Sequence, residues 1–163
     1  MKKKVISILL AALIILSTAT TVFAAQNWPS HFEQFQTLRS SYGNQYAEYT
    51  KPLQMFLICY NDGYASRIYN AGGVDGFYGT ATKDCVILFQ RARGIDDDGI
   101  CGPGTWRNVA YCLNTSSRSG YTYFSIGSDE IIRVRNTSPY EFCYKVLLGG
   151  NGGYSAPFHS SVG

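Results

Sequence analysis

Apolar positions recur at helical spacing in several stretches of this chain, then give way to alternation near its end. Phe32, Phe35 and Leu38 follow Trp28-Pro29 and the capping-box pattern Ser30-x-x-Glu33, which predicts a short helix over about 30–39. Leu53, Phe56, Leu57 and Tyr60 share one face of a helix that Thr50 would cap, with Pro52 in its first turn and an end near Asn61-Asp62-Gly63. Residues 64–73 read as a loop. Ala81, Cys85, Val86 and Phe89 predict a second helix over about 80–93, stopped by Gly94. Trp106, Val109 and Leu113 predict a third from Pro103 to Cys112. Beyond Asn114 the period shortens to two. Segments 121–126, 131–136 and 142–148 read as strands, parted by Gly127-Ser128-Asp129 and Thr137-Ser138-Pro139. Residues 114–120 look like a linker and 149–163 like a loose Gly/Ser-rich tail. The expected class is mainly α: a three-helix unit over 51–113, an N-terminal helix or spacer over 25–50, and a small antiparallel β appendage over 121–148, α+β overall.

One apolar run fits none of these elements. Val5–Leu16 follows Lys2, Lys3 and Lys4 and precedes Val22-Phe23-Ala24. That is the layout of a secretory signal peptide over 1–24, cut after Ala24, and the run is too short to span a bilayer comfortably. Export to an extracytoplasmic location is the expectation. Its removal changes the charge picture, because the formal +3 rests on those three lysines; the remaining 11 basic residues equal the 11 acidic ones. With only the Arg91/Arg93 and Arg133/Arg135 pairs left as basic clusters, neither nucleic acid nor an anionic membrane is an expected partner. Five cysteines remain (Cys59, Cys85, Cys101, Cys112, Cys143), which in an exported chain points to disulfides of unassigned connectivity and one odd thiol.

Within the helical region an eight-residue pattern, D-G-x-x-G-x-x-T, occurs twice, at Asp75–Thr82 and at Asp98–Thr105. Asp and Gly open a tight turn, since Asp bonds backbone amides two residues on and Gly tolerates positive φ. Gly102-Pro103 then suits a helix start, where the missing N–H of Pro is harmless. One small structural unit is used twice.

Together with Leu53-Gln54, Tyr78, Cys85-Val86-x-x-Phe89-Gln90, Gly94-Ile95 and Trp106, this repeat resembles the peptidoglycan-binding domain type 1 family, the three-helix modules attached to many bacterial cell-wall hydrolases. The resemblance covers about 51–113, less than half of the chain left after signal removal. Cys85 departs from the small Ala usual there, and the segment 64–73 is longer than usual and borders the expected groove. The resemblance implies adsorption to peptidoglycan glycan and stem peptide through a shallow groove, with no cofactor. Its expected ligand-binding residues are Tyr64, Tyr69, Asp75, Gly76, Phe77, Tyr78, Gly79, Thr82 and Asp98. Asp75, Asp98, Thr82 and Thr105 also have a plainer reading as turn-fixing residues, Tyr78 as helix packing and Trp106 as core.

No catalytic constellation is visible. The histidines, His31 and His159, lie at opposite ends and fit no zinc site, and Asp96-Asp97-Asp98-Gly99 lacks the further oxygen ligands of a calcium loop. Cys143 and His159 are the only Cys/His pair close in sequence, and Asp129, Glu130 and Glu141 sit on a β segment too small to build a glycosidase cleft. A non-catalytic wall-binding protein is the reading, with the β appendage free to meet a protein partner. The rivals are a small peptidoglycan hydrolase or a hydrolase's binding subunit, and a secreted interaction protein that kept the fold without the ligand.

Overall fold

The computed structural model describes residues 27–136, 142–146 and 153–154. The expected signal peptide, the expected 137–139 turn, most of the expected tail and His159 lie outside them. Five α-helices come first: α1 (Trp28–Phe32), α2 (Ala47–Tyr60), α3 (Asp62–Asn70), α4 (Thr80–Arg93) and α5 (Pro103–Tyr111). Among the described residues five strands follow: β1 (Asn114–Arg118), β2 (Tyr121–Ile126), β3 (Asp129–Arg135), β4 (Phe142–Val146) and β5 (Gly153–Tyr154). They form one antiparallel sheet in chain order. The α+β class expected from the sequence is what the fold has.

α2 is the central helix. It meets α3 and α4 on one side and β2, β3 and β4 on the other, so Pro52 through Leu57 are all buried and no polar stripe survives there. It begins a turn before the expected start. Thr50 is inside the helix and its hydroxyl donates to the Tyr46 carbonyl at 3.0 Å, so it is not the cap.

The expected loop 64–73 is largely helical, which corrects the three-helix count. The Asn61 side chain accepts from the Gly63 N–H at 2.8 Å and starts α3, while Tyr64 and Ile68, one turn apart, turn inward. Asn61-Asp62-Gly63 thus begins one helix as it ends another. α4 stops at Gly94 as expected, with the Gly94 and Ile95 N–H groups donating to the Arg91 and Gln90 carbonyls at 3.1 Å each.

The N-terminal segment is a structural component, not a spacer. Its helix ends at Phe32, and the capping box at Ser30 is not formed, since the Ser30 hydroxyl donates back to the Asn27 carbonyl at 2.8 Å. Beyond it the chain extends, so Phe35 and Leu38 reach the core without a helix. Leu38 and Cys101 exchange backbone hydrogen bonds at 3.1 and 2.9 Å, and the Trp106 indole N–H donates to the Gln36 carbonyl at 3.0 Å. Phe35 meets both Trp106 (centroids 5.3 Å apart) and Phe142 (4.9 Å), and Phe32 meets Phe124 at 5.1 Å. An aromatic chain therefore joins α5, the N-terminal segment and the inner face of the sheet, where Phe124, Ile132, Val134 and Phe142 are buried.

β1 occupies part of the expected linker. Its residues Asn114, Thr115, Ser116, Ser117 and Arg118 are all exposed, so no apolar alternation marks it; pairing with β2 alone makes it a strand.

Among the described residues no disulfide joins any two of the five cysteines. Cys85 and Cys101 are fully buried in the core as small apolar side chains, which corrects the disulfide expectation. Burial pushes the Cys85 thiol up to about 11, against the lowering effect of Arg67, and Cys101 well above its ordinary value. A thiol reagent at pH 8 should therefore label the half-buried Cys59 and Cys112 in the native protein and reach Cys85 and Cys101 only after unfolding. Mass mapping of the labelled peptides checks the order; early labelling of Cys85 would contradict this packing.

Candidate functional site

Each repeat folds around one buried glutamine. In the first, the Gln54 side-chain amide donates to Asp75 Oδ1 (2.8 Å), the Phe77 carbonyl (3.2 Å) and Thr82 Oγ1 (3.2 Å). Its Oε1 accepts from the Gly76 N–H at 2.9 Å, and Asp75 Oδ1 also accepts the Phe77 N–H at 2.8 Å. The second repeat copies this residue for residue. Gln90 donates to Asp98 Oδ1 (3.2 Å), the Ile100 carbonyl (2.9 Å) and Thr105 Oγ1 (3.0 Å), and accepts from the Gly99 N–H at 2.9 Å, while Asp98 Oδ1 takes the Ile100 N–H at 2.7 Å. Every polar atom of the amide is used, as a buried glutamine requires.

The glycine after each Asp is obligatory. Gly76 has φ +84 and a Cβ there would lie 2.8 Å from that of Ala47; Gly99 has φ +71 and its Cβ would lie 2.8 Å from Lys83 Cγ. Tyr78 couples the two turns, since its hydroxyl donates to the Gly99 carbonyl at 3.0 Å.

Beside the first turn lies a cleft of about 210 Å³. It is lined by the buried Gln54, Ile68 and Thr82, by Ala71, Gly73, Gly79, Thr80 and Ala81, and by the exposed Asp75 and Phe77. Phe77 is 52% exposed, a large apolar ring left in solvent at the mouth. The ring packs against Gly79, where an added Cβ would lie 3.0 Å from it, and α4 begins at that glycine, which has no side chain to cap the first-turn N–H groups. A second cleft of about 200 Å³ sits at the equivalent place, between Gln90, Asp98, Ile100 and Thr105, with half-buried Ile100 where the first has Phe77.

Residues 50–108 match the model of the family described as "Putative peptidoglycan binding domain". The matched stretch of this peptidoglycan-binding-type segment contains both repeats, both glutamines and the whole first cleft. The chain is 35% identical over 65 residues to the N-acetylmuramoyl-L-alanine amidase CwlM of Mycobacterium tuberculosis, covering 40% of this chain and 16% of that protein. It is 42% identical over 48 residues to an uncharacterized protein in the bpoA1 3' region of Kitasatospora aureofaciens, covering 29% of this chain and 41% of the other. The chain thus spans less than half the length of either relative. No solved structure matches it significantly.

Of the nine expected site residues, the structure gathers Asp75, Phe77, Gly79 and Thr82 around the first cleft, with Gly76 buried just behind. Asp75 and Thr82 serve the turn through Gln54. Asp98 performs Asp75's task in the second turn and borders the other cleft. Tyr78 is 1% exposed and Tyr64 packs against Tyr60 with centroids 6.0 Å apart, so both belong to the core instead of the groove. Tyr69 is exposed but borders a different cavity, between α3 and the sheet. Sequence reading passed over Gln54 and Gln90 as organisers because they stand 21 and 8 residues before their Asp partners. The shared signal was an amide following an apolar residue upstream of each Asp-Gly. Thr80 and Ile68 carried no signal of their own, and Ala81 read only as a core position of its helix.

In the acidic turn, Asp97 pairs with Arg91, which holds its carboxyl below the usual range, and Asp98 is engaged by Gln90. That is a solvated, internally satisfied turn.

Proposed function

We propose that this is an exported, non-catalytic, cell-wall-associated protein that adsorbs to peptidoglycan through the first-repeat cleft. The observation that carries this reading is the Phe77 ring, half in solvent, over a cleft lined by the uncapped start of α4 and lying inside the matched segment. An aromatic face packs on the apolar face of a sugar ring. The Thr80 hydroxyl and first-turn amides offer donors to N-acetyl and stem-peptide carbonyls. One such contact is weak, and a polymer that repeats its unit compensates by offering many.

Absence of catalysis is supported by how the reactive groups are used. Asp75 and Asp98 are tied into turns, and the Cys85 and Cys101 thiols are buried with their ionisation suppressed. His31 packs against the Trp28 ring at 5.3 Å, and burial lowers its pKa. The amidase similarity covers 16% of that protein and brings no catalytic step with it.

The test is sedimentation with insoluble peptidoglycan, chitin serving as control, alongside zymography on purified wall. The protein should pellet with peptidoglycan in preference to chitin and leave the zymogram unclear. Phe77→Ala should weaken pelleting roughly tenfold, the loss of an exposed aromatic anchor worth about 1–2 kcal/mol, at an unchanged melting temperature. Clearing at the band would establish a hydrolase instead. Equal or absent pelleting would favour an interaction protein that kept the fold alone.

A further inference from the structure

A cavity larger than either repeat cleft lies outside the repeats. It lies at the seam between the helices and the sheet, holds about 480 Å³, and falls within the roughly 300–1,000 Å³ of small-ligand sites. Met55 and Ile58 of α2, Val74 and Ile131 of β3 give it an apolar floor, and the exposed Tyr69 ring stands at its edge. Three carboxylates border it: Asp62 from the first turn of α3, and Asp129 and Glu130 from the start of β3. No lysine or arginine is among the lining residues. Glu130 is engaged by Arg118, whereas neither Asp62 nor Asp129 forms an ion pair among the described residues. Cys59 Sγ donates weakly to Asp129 Oδ2 at 3.8 Å, which leaves the charge of that carboxylate uncompensated.

We propose that this seam is a second binding site, which takes an ammonium group carried on an aliphatic chain. The methylenes would lie on Met55, Ile58 and Ile131, displacing water from apolar surface, while the ammonium reaches Asp62 and Asp129. The Tyr69 ring adds an attractive face for the same cation. An anion would meet like charges at the rim, and a wholly apolar ligand would strip water from two carboxylates without repaying them. A bare divalent cation would gain nothing from the floor and needs six to eight converging oxygens. Two sources carry the favoured chemistry: a lysine-type side chain in a peptide, and a free polyamine. The site is independent of the peptidoglycan reading, since none of its lining residues borders the first cleft.

The experiment is a methyl NMR titration of the intact protein, followed at Met55, Ile58 and Ile131. The probes are Nα-acetyl-lysine methylamide and cadaverine, with Nα-acetyl-norleucine methylamide as the uncharged control. Saturable shifts confined to those methyls are expected for at least one charged probe. Response to the lysine derivative assigns a peptide source, and response to cadaverine alone assigns a polyamine. Asp62→Asn and Asp129→Asn should each weaken binding roughly two- to fivefold without altering the melting temperature, and Phe77→Ala should change nothing. The proposal fails if neither probe saturates, if the norleucine derivative binds as well, or if both Asn variants bind like the parent.

Discussion

Gln54→Met will destabilise this protein by about 2–4 kcal/mol, and Gln90→Met by a similar amount, although methionine matches glutamine in length and adds hydrophobicity. Methionine can neither donate to the Asp, carbonyl and Thr oxygens of its turn nor accept the glycine N–H as an amide does. In the first repeat the exchange strands Thr82 Oγ1 and the buried Gly76 N–H, and it leaves Asp75 Oδ1 and the Phe77 carbonyl with only the Phe77 and Gly79 N–H groups as donors. Buried groups left without partners typically cost about 1–3 kcal/mol each, and partial exposure of Asp75 lets water recover some of that. Gln54→Glu restores the acceptor for Gly76 but sets a second carboxylate against Asp75, so it should be no milder. Urea denaturation monitored by tryptophan fluorescence measures all three variants. A loss below about 1 kcal/mol for both Met variants would mean that the glutamines do not organise the turns.

Tyr78 gives the second large effect. Tyr78→Ala should cost about 3–5 kcal/mol, since it empties a core position of an aromatic ring, whereas Tyr78→Phe should cost about 1–2 kcal/mol for the hydroxyl alone. The hydroxyl is held between turns, donating to the Gly99 carbonyl, and burial pushes its pKa far above the ordinary value, with Cys101 and Asp98 adding to the rise. It should therefore remain protonated in an alkaline spectrophotometric titration carried past the ordinary tyrosine range. The same pair of variants separates core from groove. Tyr78→Phe should pellet with peptidoglycan as the parent does, and a selective loss of pelleting in a stably folded Tyr78→Phe would return this residue to the ligand site.

How far the sequence could be read follows from which signals are local. Trp106, Phe89 and Val86 were recognisable as core because each lies on a helix with one wet face, and that periodicity survives in a single segment. The turn residues were legible too, since an Asp-Gly pair carries its own stereochemistry. α3 was missed because Asn61-Asp62-Gly63 is equally good punctuation for an end and for a beginning, and only packing of Tyr64 and Ile68 decides. β1 was illegible for another reason: Asn114 to Arg118 bury nothing and owe their shape to β2. At the candidate site, exposed Phe77 was readable as an aromatic with no structural excuse. Its neighbour Tyr78 was not separable from it, as one residue in a turn can point outward and the next inward. The seam cavity was beyond reach, because it joins Met55 and Ile58 to Ile131 across nearly half the chain.

The strap of residues from Trp28 to Leu38 has a practical meaning for anyone wishing to transplant the repeats. A fragment trimmed to residues 50–108 would lose Phe32, Phe35 and Leu38, leaving a greasy scar over Trp106 and an unmet indole N–H. Such a cut-down tag would aggregate on a column, while one begun at Trp28 and carried through the sheet would behave as a soluble handle.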